Sequence, residues 1–170
     1  MAQSDIAAAI AAARSYLQAN PAEARYRDSS ATARIETGLG IRVDGPDGMS
    51  VGTDMVPGVG GGGTAPSPGW LFRAAYASCL ATLVAMRAAE RGVDVSALEV
   101  TVDSESDDRG ILGMDDGVPA GPLTMRVVIR IGAAGDAPTL REVIDWGVAH
   151  CPLHDLVRRP VPVEVEVQTG

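Results

Sequence analysis

A chain of 170 residues is long enough for one domain with a sizeable core. Its net charge is −8 and every basic side chain is arginine, a balance that argues against nucleic acid or an anionic membrane as the main partner, since both bind through a basic face. The absence of lysine removes P-loop and Schiff-base chemistry, and two cysteines are too few for a secreted disulfide scaffold.

The N-terminal stretch MAQSDIAAAIAAARSYLQAN has a short apolar run with no basic residue before it and Asp5 near its start. It does not read as a secretory signal, so the expected compartment is the cytoplasm, where a cysteine pair is more often redox-active than structural. Ser4 to Leu17 is expected to form an alanine-rich helix ending near Asn20-Pro21, and residues 22–32 a linker. In ARIETGLGIRVD, Ile35, Leu39, Ile41 and Val43 share one parity and Arg34, Glu36 and Arg42 the other. That alternation predicts a strand pair or a bent strand with one apolar face, Gly38 and Gly40 marking the bend. Gly45-Pro46-Asp47-Gly48 is a turn signal, with Met49 to Met55 as the returning strand.

Gly58 to Pro66 (GVGGGGTAP) is a glycine-rich loop, but neither a Walker pattern nor a strand–GxGxxG–helix unit supports nucleotide binding. Ser67 to Gly92 then reads as one long helix, with Ser67 as N-cap, Pro68 at its first position and Gly92 ending it. Leu71, Ala74, Ala75, Ser78, Cys79, Thr82, Leu83 and Met86 follow i, i+3, i+4 spacing. This predicts a central buried helix carrying Cys79 into the middle of the fold, too interrupted by polar residues for a membrane span. Leu98 to Ser104 and Leu123 to Ile131 alternate as strands, joined by an acidic excursion without EF-hand spacing that reads as a solvated loop. Thr139 to Ala149 is a predicted helix, and Val161 to Val167 a final strand. Helices and strands mix without a βαβ repeat, so the expected class is α+β.

Cys151 lies in HCPLHDLVRR, where Pro152 fits the first position of a short helix and Cys151 its N-cap. There the helix terminus is expected to favour a thiolate and lower the pKa. Cys79, about three turns into its helix, needs a positive group from elsewhere; Arg73 lies about 120° round the helix, so Arg34 and Arg42 are the better candidates. From the residues alone three readings stand: two buried apolar cysteines, a redox pair, and a zinc site from Cys79, Cys151, His150 and His154. His150 and His154 otherwise read as helix-terminus residues.

These features together resemble the OsmC/Ohr family of thiol-dependent hydroperoxide reductases, antioxidant proteins of the stress response. The resemblance rests on the glycine-rich lead-in, PGWLFRAAYASC (Pro68 to Cys79), the Gly-Val-Asp-Val turn after the helix, and His150-Cys151-Pro152. It covers roughly residues 30 to 168, giving an expected division into an N-terminal helix and linker (1–29) and an OsmC-like domain (30–170). It implies an α+β fold in which a long central helix packs on antiparallel sheet and two chains interlock as a homodimer. Cys79 matches the peroxidatic cysteine and Cys151 the resolving one. The implied cycle reduces an organic hydroperoxide at a Cys79 thiolate, forms a Cys79 sulfenic acid and then a Cys79–Cys151 disulfide, and ends with reduction by an external dithiol. No metal, flavin or haem is required. The family's active members carry a glutamate after the proline that opens the helix, paired with an arginine near the thiol; here that position is Gly69, and Arg34 and Arg42 both stand as the arginine. The competing reading is a non-catalytic relative holding a small apolar ligand in the same interfacial pocket.

Overall fold

The computed structural model describes residues 3–170. The chain forms α1 (Gln3–Ala19), β1 (Thr32–Thr37), β2 (Gly40–Asp44), β3 (Ser50–Thr53), α2 (Pro68–Glu90), β4 (Val95–Glu105), α3 (Asp108–Ile111), β5 (Thr124–Ala133), α4 (Ala137–Ala149) and α5 (Pro152–Arg158). These elements make the expected α+β class. They fall into two compact units. One holds Tyr76–Thr101 and Val127–Gly170 with the described residues before Ala8; the other holds Ala8–Ala75 and Val102–Arg126.

In the second unit β1, β2 and β3 form an antiparallel sheet in that order. The bend expected at Gly38 is a tight turn: Gly38 takes φ +57°, a left-handed conformation suited to glycine. β1 is exposed along its whole length. The glycine-rich loop after β3 is organised around a single acid. Asp54, 3 % exposed, accepts from the backbone N–H of Met55 (2.7 Å), Gly62 (3.1 Å) and Thr64 (3.1 Å) and from the Thr64 hydroxyl (2.8 Å). The Thr64 backbone bond is the largest of the effects that hold this carboxyl at about 2. Loop N–H groups that a phosphate would need therefore face the protein's own carboxylate.

The first unit is built on α2. Ser67 caps it through the Trp70 N–H at 3.2 Å, and Gly92, at φ +65°, ends it, so both predicted boundaries hold. The buried stripe, however, differs from the predicted one. Tyr76, Leu80, Val84 and Ala88 are buried, whereas Ala75, Ser78 and Thr82 are exposed and Cys79 is half-buried. The i, i+4 line through Leu80 and Val84 holds the larger side chains and so gains more from leaving water, about 1.5–3 kcal/mol for each fully buried Leu or Val. Among the described residues α2 alone has the length and composition of a membrane span. Here Val84 and Ala88 form a core with Val93 and Val143, against which Val95, Leu98, Ile131, Leu140 and Ile144 pack.

β4 and β5 pair as a two-stranded sheet. Their cross-strand contacts run antiparallel: Ser96 with Gly132 and Glu99 with Arg130, and in the other unit Asp103 with Arg126 and Glu105 with Thr124. The acidic excursion between them is mostly loop, but it contains the short α3, capped by the Asp107 side chain on the Arg109 N–H. The predicted final strand is not formed. Residues 160–170 have no regular structure, and Val163, Val165 and Val167 are each 79 or 80 % exposed. Alternation marks a strand only when another strand accepts its hydrogen bonds, and among the described residues none lies beside it.

α4 starts at the Asp136 cap, whose side chain accepts from the Thr139 N–H at 2.8 Å, and meets α2 at Gly147. A Cβ there would stand 2.7 Å from Val84 Cγ2 and 3.0 Å from the Val84 Cα and N. On the outer side of this crossing Arg87 bonds Glu142 and lies 5.1 Å over the Trp146 ring, while Arg91 reaches Glu142 at 3.3 Å. Gly147→Ala should therefore destabilise the fold by about 1–3 kcal/mol through overpacking, read as a lower urea midpoint at unchanged slope. Unchanged stability would mean that α4 does not approach α2 this closely.

Candidate functional site

Two elements bring the cysteines together. Cys79 is carried on α2 beside the buried stripe. Cys151 follows the end of α4, where His150 forms the C-cap, and is itself the N-cap residue of α5, its carbonyl accepting from the Asp155 N–H at 3.0 Å. Both thiols are free, and their sulfurs lie 3.3 Å apart with Cys151 as donor to Cys79. That is hydrogen-bond distance for sulfur, about 1.3 Å longer than a disulfide bond of roughly 2.05 Å.

The predicted effect of the helix terminus on Cys151 is present but outweighed, and the expected lowered pKa is not found. Its pKa is raised above the ordinary thiol value, first by burial, since the residue is only 1 % exposed. The backbone N–H groups of His154 and Leu153 act in the opposite direction, and the bond and charge of Cys79 add to the rise. Desolvation disfavours the thiolate, and the field of a seven-residue helix does not offset it.

Beside the sulfurs is a second contact between the same two helices. The Tyr76 hydroxyl and His154 Nδ1 are 2.5 Å apart. Tyr76 is 2 % exposed and its pKa is raised, mainly by burial and next by the Cys151 charge, with Arg158 acting the other way and Cys79 adding to the rise. The phenol therefore keeps its proton near neutral pH, and which partner donates across the pair follows from the tautomer of the ring. The sequence carried a signal for this pair that single-residue inspection passes over. Tyr76 stands at i−3 from Cys79 and His154 at i+3 from Cys151, so each shares a helix face with its cysteine.

His150 is a helix-terminus residue, as expected. Its Nδ1 is 2.8 Å from the Trp146 carbonyl and its ring stacks on Trp146 at 4.1 Å. Among the described residues no group of three or more His, Cys, Asp or Glu side chains has a metal-holding arrangement. Arg34 and Arg42 lie in the other unit, directly opposite each other on β1 and β2. Two like charges so placed repel, and Asp44 accepts from both, Arg34 Nη1 and Arg42 Nε each at 2.7 Å. The Arg42 bond is the first cause of the lowered Asp44 pKa.

At the start of α2, a cavity of about 420 Å³ is lined by Met55, Pro68, Gly69, Phe72, Arg73 and Ile111, among others. Arg73 Nη1 donates to the Ser104 hydroxyl at 3.3 Å. A Cβ on Gly69 would lie 3.7 Å from that same nitrogen, so a side chain fits there beside Arg73.

Fold and site together define an α+β protein with two free thiols at reacting distance. A family model described as OsmC-like protein matches residues 60–166, and the chain belongs to that family. No curated protein matches it. Among solved structures, it is similar to an OsmC-like protein from Mycoplasma pneumoniae (TM-score 0.68, 13 % identity, 79 % of this chain and 89 % of the other). It is also similar to an organic hydroperoxide resistance protein, OsmC, from Legionella pneumophila (TM-score 0.57, 19 % identity, 79 % and 91 %). A third likeness is to an organic hydroperoxide resistance protein from Elizabethkingia anophelis (TM-score 0.58, 16 % identity, 80 % and 91 %). At these identities the likeness is one of fold.

The raised Cys151 pKa has a measurable sign. The fold favours the neutral thiol, so its contribution to stability is fully present below the unfolded value of about 8.5 and is lost as pH rises through the folded value. In Cys79→Ser the remaining thiol should titrate above 8.5 in iodoacetamide alkylation. In Cys151→Ala the alkaline loss of stability should be shallower than in the parent. Titration of Cys151 at or below the free-thiol value would contradict burial as the dominant effect.

Proposed function

We propose that this protein is a thiol-dependent peroxidase acting on organic hydroperoxides, with Cys79 as the attacking thiol and Cys151 as the resolving one. The observation that carries the reading is the 3.3 Å separation of two free sulfurs, with the buried Cys151 as donor and Cys79 as acceptor. The Cys79 thiolate attacks the terminal peroxide oxygen; the O–O bond breaks, the alkoxide takes a proton and leaves as alcohol, and Cys79 becomes a sulfenic acid. The Cys151 sulfur then attacks the Cys79 sulfur, and the hydroxyl of the sulfenic acid leaves with the Cys151 proton as water. The two thiols, having given two electrons to the peroxide, are left as a disulfide. An external dithiol returns both cysteines to thiols. The cycle needs no metal, flavin or haem. Such a cycle suits the reducing cytoplasm. Arg34 or Arg42 is the proposed source of positive charge for the thiolate, a charge that each now shares with Asp44. The names of the similar Legionella and Elizabethkingia proteins support the substrate class.

Reduced protein should consume cumene hydroperoxide with loss of two thiols per chain, and a non-reduced digest should contain the Cys79–Cys151 linked peptides. Cys79→Ser should abolish turnover, while Cys151→Ser should trap Cys79 as a sulfenic or over-oxidised species. Arg34→Ala or Arg42→Ala should slow peroxide consumption. Full activity in Cys79→Ser would overturn the assignment of roles. The cavity at Gly69 and Arg73 favours a second reading, a non-catalytic protein holding a small, largely apolar ligand. No peroxide loss and unchanged thiols would favour it.

The functional form in this proposal is an interlocked homodimer. Support comes from apolar surface left uncovered on one chain: Ile35 on β1 is 74 % exposed, and the alternating valines of residues 160–170 have no strand to pair with. Light scattering at micromolar concentration should return twice the chain mass. A folded monomer would remove this part of the proposal.

A further inference from the structure

We infer that Tyr76 and His154 are a positioning pair that holds Cys151 within reach of Cys79 and so sets the rate at which the disulfide closes. The inference rests on the two-thiol reading above and deepens it by naming what controls the resolving step.

Two contacts join α2 to α5, and they are in register. Tyr76 and Cys79 are an i, i+3 pair on α2; Cys151 is the N-cap of α5 and His154 lies at i+3 from it. The sulfurs meet at 3.3 Å and the phenol meets the imidazole at 2.5 Å. α5 has only seven residues, and none of its side chains is buried. Packing therefore does little to hold it, and the phenol–imidazole bond is a side-chain tie from the buried face of α2 to the body of this helix. Tyr76 is suited to the task because it is rigid, 2 % exposed, and kept protonated first by burial. The groups that face His154 and Tyr76 are Cys79 and Cys151, Asp155, and Arg158, with Arg159 paired to Asp155 at 2.5 Å. The tie matters most after Cys79 is oxidised. The sulfurs then have to close by about 1.3 Å, and a loose α5 would leave the sulfenic acid waiting for its partner while a second peroxide over-oxidises it.

The resolving step can be measured without peroxide. In excess 5,5′-dithiobis(2-nitrobenzoate), one thiol displaces one thionitrobenzoate and keeps the other as a mixed disulfide. When that thiol is Cys79, Cys151 gives up its proton to solvent, attacks the Cys79 sulfur, and releases the second thionitrobenzoate as the protein disulfide forms. Cys151→Ser, whose first phase reports Cys79 alone, fixes which phase is which. Tyr76→Phe and His154→Leu should slow the second phase about tenfold, the effect of losing one part-buried hydrogen bond, with the first phase unchanged. The double variant should be no slower than either single one, because the two residues act as a unit. His154→Asn, whose side-chain amide can accept or donate in place of Nδ1, should recover most of the rate. If Tyr76→Phe does not fold, His154→Leu and His154→Asn still decide the matter, since His154 is only half-buried. An unchanged second phase, additive losses in the double variant, or equal slowing by His154→Asn and His154→Leu would each overturn the inference. Failure of the peroxidase reading looks different: no hydroperoxide consumed, with the two-phase thiol exchange and its dependence on Tyr76 and His154 intact.

Discussion

The geometry of the thiol site depends on how closely α4 can approach α2. At Gly147 the α4 backbone comes so near Val84 that even a methyl group would meet the Val84 backbone at 3.0 Å. Cys151 is four residues further along the chain, past a short turn at His150. A small displacement of α4 at Gly147 is therefore passed on almost directly to the Cys151 sulfur. The core around Val84, Ala88 and Val143 and the Arg87–Glu142–Arg91 cluster act on the same crossing from two sides, one by excluding water and the other by charge. A half-exposed ion pair contributes little by itself, so the apolar contact is the dominant element and the arginines orient it.

Most of the elements could be read from the chain because their signals are local. The caps at Ser67 and Gly92, the turn at Gly45–Gly48 and the N-cap position of Cys151 each depend on a few neighbouring residues, and each is found where its chemistry requires it. The failures share a different cause. Val161 to Val167 alternates like a strand, but a strand is completed by its partner's N–H and C=O groups, and alternation says nothing about whether a partner is present. The stripe expected on α2 differs from the buried one because small residues occupy nearly every face of that helix. Only the packing of Leu80 and Val84 distinguishes the buried side from the open one.

The site was legible as a pair of cysteines and misread in its electrostatics. The helix-terminus argument for Cys151 is sound for an exposed thiol, but its magnitude is small beside desolvation at a position that is 1 % exposed. Burial of a given thiol is a property of the whole packing and cannot be read from HCPLH. The Tyr76–His154 contact joins residues 78 apart and was hidden for the same reason, although each partner already stood one helical turn from its cysteine. Arg34 and Arg42 are the arginines the sequence offers as candidates for a positive charge near Cys79. In the folded hairpin their opposition across the ladder brings in Asp44, which neutralises part of what the pair could offer elsewhere.

The two sulfurs, though in contact, are unequal, and the inequality follows from which faces their helices present. Cys79 sits at the margin of the α2 stripe, next to exposed Ser78 and one residue from fully buried Leu80, and is half-buried. Cys151 sits behind it at 1 % exposure, its proton retained by desolvation and directed at Cys79. A reagent arriving from water meets the outer sulfur first, and in the proposed cycle the inner one reacts with what that outer sulfur has become. Burial thus makes Cys151 a poor nucleophile towards solvent-borne species, and in the proposed cycle its nearness to Cys79, 3.3 Å away, offsets its raised pKa. The packing of α2 against the start of α5 thus suits the proposed order of events before any catalytic charge is considered.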